Sequence, residues 1–251
     1  MNVLKAVFGR IWAIWGLLAF FITMLIFFIP FLIFAYWAPE PVKTNRFISY
    51  SRVWMKVFLN LIGCPLTVKG RAHFKKGENY IVLCNHYAFM DIPVSSTSIP
   101  GGNKTIAKIE LAKTPLFGML YKTGSVLVDR KSDKSRKESF GKMRAVLEMG
   151  LHMCIYPEGT RNLTDQPLKS FHDGAFKLAI ETRKSIVPGV IFYTRNVMPA
   201  KPVFSLFPHR LLIHFLEPIP VLPGDNYEIL KNKVFNLMTD HYTTHLAQAG
   251  K

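Results

Sequence analysis

The chain has 251 residues, 32 Lys and Arg against 16 Asp and Glu, a formal net charge of +16, and 49% hydrophobic residues. That balance is too apolar for a disordered chain and too charged for a multi-span carrier, which leaves one globular domain with a membrane attachment. Cys64, Cys84 and Cys154, odd in number and without a C-x-x-C pair, make neither a disulfide framework nor a zinc cluster and fit a reducing, cytosol-facing location. The positive excess implies an anionic partner: nucleic acid, an anionic bilayer surface or a phosphorylated substrate.

Ile11 to Pro39 is a run of 29 residues without a charge, whereas about 20 apolar residues suffice to cross a bilayer core. The run is predicted to be membrane-embedded. It is too long for a removable signal peptide and lacks a small-residue cleavage site. Pro30 would kink a helix there, so the run either spans the bilayer or dips into one leaflet and returns. Lys5 and Arg10 precede it, and Lys43, Arg46, Arg52 and Lys56 follow, a distribution that leans toward a cytosolic C-terminal domain. A basic amphipathic helix is predicted over 45–62. Tyr50, Val53, Trp54, Val57, Phe58, Leu61 and Ile62 share one face, with Arg52, Lys56 and Asn60 opposite. Periodicity leaves open whether the apolar face packs on the domain or lies among headgroups. The chain divides into an N-terminal membrane-embedded part, 1–64, and an α/β domain, 65–251.

From Pro65 onward, short apolar runs alternate with helical segments. Strands are predicted at 66–69, 80–84, 105–108, 125–128, 152–156, 186–193 and 211–216, and helices at 91–98, 110–121, 135–149, 173–184 and 227–246. This alternation predicts an α/β fold with a mainly parallel sheet flanked by helices, in which ligands collect beyond the carboxyl ends of strands. No G-x-S-x-G elbow or G-x-G-x-x-G loop is present. Gly101-Gly102-Asn103-Lys104-Thr105 is read as a turn, because the first glycine of a phosphate loop is missing and Asn103 separates the others from the lysine. His241 and His245 have metal-ligand spacing on the last helix but no carboxylate between them in an H-E-x-x-H arrangement, and no metal is expected.

The strand ending at Cys84 runs into Asn85-His86-Tyr87-Ala88-Phe89-Met90-Asp91. From a strand-to-helix turn, the Asp91 carboxylate can accept the Nδ1 proton of His86 and support an imidazolium. The other nitrogen is then free to take a proton from a hydroxyl. Taken alone, the pair also reads as an ordinary N-cap beside a satisfied polar residue. Three further blocks follow in order: Lys108-Ile109-Glu110-Leu111 continuing through Pro115, Gly118 and Gly124 to Val128-Asp129-Arg130; Tyr156-Pro157-Glu158-Gly159-Thr160-Arg161; and Ile186-Val187-Pro188-Gly189.

In order and spacing these four blocks resemble the glycerolipid acyltransferase family typified by 1-acyl-sn-glycerol-3-phosphate acyltransferase, over about Val68 to Pro220. The resemblance implies that His86 is the general base that activates the free sn-2 hydroxyl of lysophosphatidic acid for attack on an acyl thioester, giving phosphatidic acid, and that Asp91 orients it. It implies acceptor binding by Glu158, Gly159, Thr160 and Arg161, with Arg161 on the glycerol phosphate and Lys108 as a second phosphate contact. It also implies that Val187 and Pro188 shape the acyl or acceptor pocket. A guanidinium suits bidentate phosphate binding and an ammonium supplies a compact charge.

Tyr156 stands where the family often has Phe, and Asn162 where Ser is frequent. Cys84 and Cys154, inside apolar strands, read as small core residues. The basic stretch 131–137 reads as a solvated loop and helix start, or as a patch for an acyl carrier protein or the phosphates of coenzyme A. No cofactor is implied beyond an acyl-CoA or acyl carrier protein thioester as co-substrate. The expected partners are a lysophospholipid, that thioester and the membrane bilayer, with no nucleic acid. The location implied is the cell membrane, with the catalytic domain on the cytoplasmic face. Two other readings stay open: acylation of a different lyso-lipid, such as a lyso-ornithine or lyso-glycine lipid, and a non-catalytic, membrane-anchored protein that binds anionic lipid.

Overall fold

The computed structural model describes residues 3–129 and 131–249; Arg130, in the second block, lies outside them. Among the described residues seven strands form one sheet: β1 (Leu66–Lys69), β2 (Ile81–Cys84), β3 (Asn103–Lys108), β4 (Ser125–Val128), β5 (His152–Ile155), β6 (Ile186–Phe192) and β7 (Leu211–Phe215). Their order is β1-β7-β6-β2-β5-β3-β4. Every neighbouring pair is parallel except β6 with β7. The central strands are unbroken apolar runs because helices cover both faces. Val82, Cys84 and Cys154 point into one core, and Ile81, Leu83, Met153 and Ile155 into the other. Strand alternation thus divides a single apolar sequence between two layers.

One layer contains α1 (Val3–Phe31), α2 (Val42–Leu61), α3 (Asp91–Ser98) and α4 (Phe117–Thr123). The other contains α5 (Asp133–Glu148), α6 (Gly174–Thr182) and α8 (Tyr227–Ala249), and a single turn, α7 (Thr194–Val197), follows β6. Pro30 does not end α1. The helix runs one residue further and widens into a π turn at Leu32–Tyr36 before the chain reverses. α2 then returns antiparallel along α1, fastened at both ends and in the middle. Trp12 and Trp15 donate their indole N–H to the carbonyls of Ile62 and Leu61, each at 3.0 Å. Trp54 donates to the Thr23 hydroxyl at 2.9 Å, and Arg46 to the Phe34 carbonyl at 2.8 Å.

This hairpin lies against the domain. Phe207 packs directly on Gly9, where any Cβ would stand 2.5 Å from its ring, and the Leu206 amide donates to the Gly9 carbonyl at 3.0 Å. At the reversal, Glu40 accepts from the Thr44 hydroxyl at 2.7 Å and pairs with Lys104 of β3 at 2.8 Å.

The face of α2 that packs inward differs from the predicted one. Ile48, Ser51, Trp54, Met55, Phe58 and Leu59 are buried, whereas Val53, Val57 and Leu61 are exposed. Packing in both directions accounts for this: α2 lies between α1 and α3, so its core stripe is displaced from the centre of the apolar arc. Arg52, expected on the solvated side, donates to the carbonyls of Thr97, Ile99 and Gly101. It satisfies the open C-terminal end of α3, where a cation also opposes the helix dipole.

The single helix expected over 110–121 is two pieces, a 3-10 turn at Ile109–Lys113 and α4. Pro115 has no amide hydrogen and pushes Thr114 to extended backbone, which divides them. The turn expected at Gly101 is present with φ +79°, but β3 begins earlier than predicted, at Asn103. His241 bonds the His214 imidazole at 2.8 Å and His245 the Tyr193 hydroxyl at 3.2 Å, so both helix histidines face protein partners.

Candidate active site

β2 and β5 lie side by side and parallel, so their carboxyl ends open at the same level, about 4.8 Å apart. The chain leaving β2 returns through α3 on one face of the sheet, and the chain leaving β5 returns through α6 on the other. Adjacent strands with opposite crossovers leave a crevice between their ends, where open α/β sheets bind ligands. The turn 85–90 and the loop 156–173 fill its rim.

The first turn is organised around Asp91, which is fully buried. Its Oδ2 accepts from the amides of Tyr87 at 2.5 Å and Ala88 at 2.7 Å, and lies 2.8 Å from His86 Nδ1. The two amides place the carboxylate before the imidazole reaches it, and the carboxylate in turn makes Nδ1 the protonated nitrogen. Nε2 of His86 has no partner among the described residues and reaches solvent. The imidazole also stacks on the Tyr156 ring, centroids 4.5 Å apart. The Tyr156 hydroxyl, which a Phe would lack, meets Ser95 Oγ at 2.7 Å. These contacts fix the ring plane and leave one nitrogen to act.

Glu158 follows β5 and is 1% exposed. One carboxylate oxygen accepts from the His86 amide at 2.8 Å and the other from the Lys169 amide at 2.9 Å. Burial pushes its pKa up to about 7, against the pull of those two amides and of His86. Gly159 turns the chain at φ +70° beneath the His172 ring, where a Cβ would sit 2.7 Å from a ring carbon. Thr160 is exposed, and its Oγ1 accepts from Lys169 Nζ at 2.6 Å. Arg161 is exposed, with its guanidinium 4.3 Å from the centroid of Phe89 on the His86 turn. Lys108 ends β3, exposed and two strands from β2 at the same edge of the sheet.

His86, Asp91, Glu158, Thr160 and Arg161 therefore converge around one crevice. Lys108 stands on its flank, with no contact to the others among the described residues. Val187 and Pro188 are elsewhere: they pair with Val82 and Leu83 in mid-sheet and do not line the adjoining cavity. Lys169 joins the site without a motif to announce it, and Asn162, noted in the sequence only for standing where Ser is frequent, joins it through its backbone. The Asn162 amide donates to the His86 carbonyl at 2.6 Å, a backbone bond that no residue type reveals.

Beside this polar rim opens an apolar cavity of about 420 Å³. Phe89 and Met90 from the His86 turn and Pro93 from α3 carry its wall, and Gly16, Phe20, Trp54 and Phe58 supply the far side from the hairpin. A histidine–carboxylate pair, an exposed guanidinium and a deep apolar chamber suit a reaction between an anionic hydroxyl compound and a long-chain acyl group.

Residues 65–192 match the Acyltransferase family model. The 1-acyl-sn-glycerol-3-phosphate acyltransferase of Cocos nucifera is 30% identical over 237 residues, covering 93% of this chain and 74% of that protein. The enzyme of the same name from Borreliella burgdorferi is 29% identical over 196 residues, 78% of this chain and 77% of its own. Among solved structures, the 1-acyl-sn-glycerophosphate acyltransferase of Thermotoga maritima shares the fold with a TM-score of 0.82 at 18% identity, covering 97% of this chain and 98% of that one. Fold and matched region together define the chain as an acyltransferase. It belongs to the 1-acyl-sn-glycerol-3-phosphate acyltransferase family.

Proposed function

We propose that the chain transfers a fatty acyl group from an acyl thioester to the free sn-2 hydroxyl of lysophosphatidic acid, giving phosphatidic acid and a free thiol. The observation that carries this is the His86–Asp91 pair at 2.8 Å, with the outer imidazole nitrogen free at the crevice. His86 Nε2 takes the hydroxyl proton as the oxygen attacks the thioester carbonyl. The tetrahedral intermediate collapses with loss of the carbon–sulfur bond, and the departing thiolate recovers the proton from the imidazolium. Asp91 holds the tautomer and offsets the imidazolium charge. Arg161 anchors the acceptor phosphate, with Lys108 adding charge from the flank. Glu158, with both oxygens on backbone amides, acts by holding the two loops together, and Gly159 and Thr160 shape the turn that presents Arg161. The apolar cavity receives the acyl chain.

The same reading makes the protein membrane-bound. Val3–Tyr36 is long and apolar enough to cross a bilayer. Its inner face packs on the domain, and Ile14, Leu18, Ile22, Ile26 and Ile29 face outward. A hairpin laid along the domain in this way favours insertion into one leaflet over a span standing clear of it, with the active site at the headgroups on the cytoplasmic side. The acceptor then enters with its tail still in lipid.

The test is thiol release by detergent-purified protein with long-chain acyl-CoA, in parallel on lysophosphatidic acid and a phosphate-free lyso-lipid, with His86→Ala as control. Turnover on lysophosphatidic acid alone, lost in the variant, is the expected result. Turnover only on the other acceptor reassigns the substrate. Turnover with neither, even when acyl carrier protein thioester is the donor, overturns the reading.

A further inference from the structure

We propose that Arg195 is a positioning residue for this reaction, clamping the loop that carries Arg161 to the turn that carries His86; this rests on the roles proposed above for those two residues. The need for such a clamp follows from the loop itself. Residues 156–173 run between β5 and α6 with no helix or strand of their own, yet they present the acceptor side of the site. A segment of that length keeps a fixed shape only where side chains pin it. Glu158 pins its beginning, and the Asn162 side chain folds its middle, accepting from Thr164 and donating to the Gln166 carbonyl at 2.9 Å. Beyond the Asn162 amide that donates to the His86 carbonyl, neither contact ties the middle of the loop to a neighbouring element.

Arg195, on α7 directly after β6, supplies that tie. Its Nη2 donates to the carbonyls of Asn162 at 3.2 Å and Thr164 at 3.0 Å. Its guanidinium plane lies 4.3 Å from the centroid of Tyr87, the residue next to His86. Tyr87 completes the closure from the other side: its amide binds Asp91 and its hydroxyl donates to the Pro167 carbonyl, further along the loop. The Asn162 amide that donates to the His86 carbonyl belongs to the same residue whose own carbonyl Arg195 holds. One planar cation therefore touches the turn through a ring face and the loop through two carbonyls. Lysine reproduces only part of this combination, since an ammonium could reach the two carbonyls that share Nη2 but cannot lie flat on the Tyr87 ring. The two aromatic residues of the turn each carry a guanidinium, Phe89 that of Arg161 and Tyr87 that of Arg195. Arg161 is exposed at the rim, whereas Arg195 is half-buried and committed to the chain.

Misplacing reacting groups by about 1 Å can cost roughly 100-fold in rate. Arg195→Ala is therefore expected to lower kcat by about 10–100-fold with the KM for lysophosphatidic acid nearly unchanged. Arg195→Lys should recover only part of the loss. Tyr87→Ala should lose a similar factor, and the double variant should be little worse than either single one, because both remove the same clamp. In a His86→Ala background, Arg195→Ala should have almost no further effect.

The proposal is overturned if Arg195→Ala turns over normally, if the two losses multiply, or if Arg195→Ala costs a further 10-fold without His86. A loss confined to KM, and only for the phosphorylated acceptor, would instead make Arg195 a phosphate contact. If Arg195→Ala fails to fold, the kcat-against-KM split is read on Arg195→Lys, and a normal kcat there overturns the proposal equally. Normal turnover by His86→Ala alone would remove the underlying site reading whatever Arg195 does.

Discussion

Asp91 uses a single oxygen to hold two amides and an imidazole, and the neighbouring histidine is left with one nitrogen to offer. A general base contributes about 10²–10⁴-fold, so His86→Ala should lower kcat by that order with a modest change in acceptor KM, read in steady-state kinetics. Near-normal turnover would rule out the base role. Arg161 makes the opposite prediction. In the proposed role it binds a ground-state charge, so Arg161→Ala should raise KM for a phosphorylated acceptor and leave a phosphate-free lyso-lipid almost unaffected. Equal losses on both would remove the phosphate anchor. The charged residues that meet at the crevice were legible in the sequence through the resemblance of four ordered motifs, since the His86–Asp91 pair alone reads equally as a helix cap. Their supports were not. Glu158 works by accepting from two backbone amides, and the Asn162 amide would donate to His86 whatever its side chain.

At the level of elements, the hairpin serves the site twice, as an apolar outer surface and as one wall of the cavity. Removing residues 1–40 would open that cavity and bare Trp54 and Phe58, so it is a poor test of anchoring. Replacing Leu18, Ile22 and Ile29 by Glu acts only on exposed positions. Such a variant is expected to stay folded and leave the membrane pellet in a vesicle sedimentation assay. Retained binding would move the anchor to α2 and its exposed Val53, Val57 and Leu61. Phe47, Trp54 and Leu120 also separate the large cavity from a small one deeper in the hairpin. Phe47→Ala should join the two and shift acyl-donor preference toward longer chains, measured by competition between thioesters of graded length. An unchanged preference would place the end of the chain elsewhere.

For the whole molecule, acid is the sensitive direction. Burial first, then the backbone carbonyl of Pro100 and the charge of Arg52 acting in opposite senses, leave His152 with a pKa of about 4. His214, beneath α8, is likewise held at about 4, by burial and then by His241, Lys69 and His245. Both values lie below the ordinary value of about 6.5 that an unfolded chain would show. Between pH 6.5 and 4 the unfolded chain therefore binds more protons than the folded one, and these two sites make stability fall as pH drops through that window. Glu158, raised by burial, acts in the other direction between its ordinary carboxylate value and about 7. Denaturant midpoints across pH 4–7 should show the acid loss, and His214→Gln should flatten it. An unchanged slope in the variant would show that His214 takes up its proton in the folded chain at the same pH as in the unfolded one.

Composition, periodicity and four ordered motifs already determined the class of the domain, the apolar N-terminus and the presence of each strand, and through a family resemblance they pointed to the charged residues that meet at the crevice. Each of these depends on near neighbours in the chain: two-residue alternation for a strand, a run without charge for a long apolar helix, a histidine and a carboxylate five residues apart at one turn. Tertiary structure alone decided that β2 and β5 are adjacent, which brings His86 to Glu158 across more than sixty residues of sequence. It also decided that α1 and α2 close back on the domain as a hairpin, that Arg52 ends α3 instead of facing solvent, and that Arg195 bridges two loops. The physical reason is the same in each case. Backbone amides, carbonyls and aromatic faces are carried by nearly every stretch of chain, so which of them meet is set by how the layers pack.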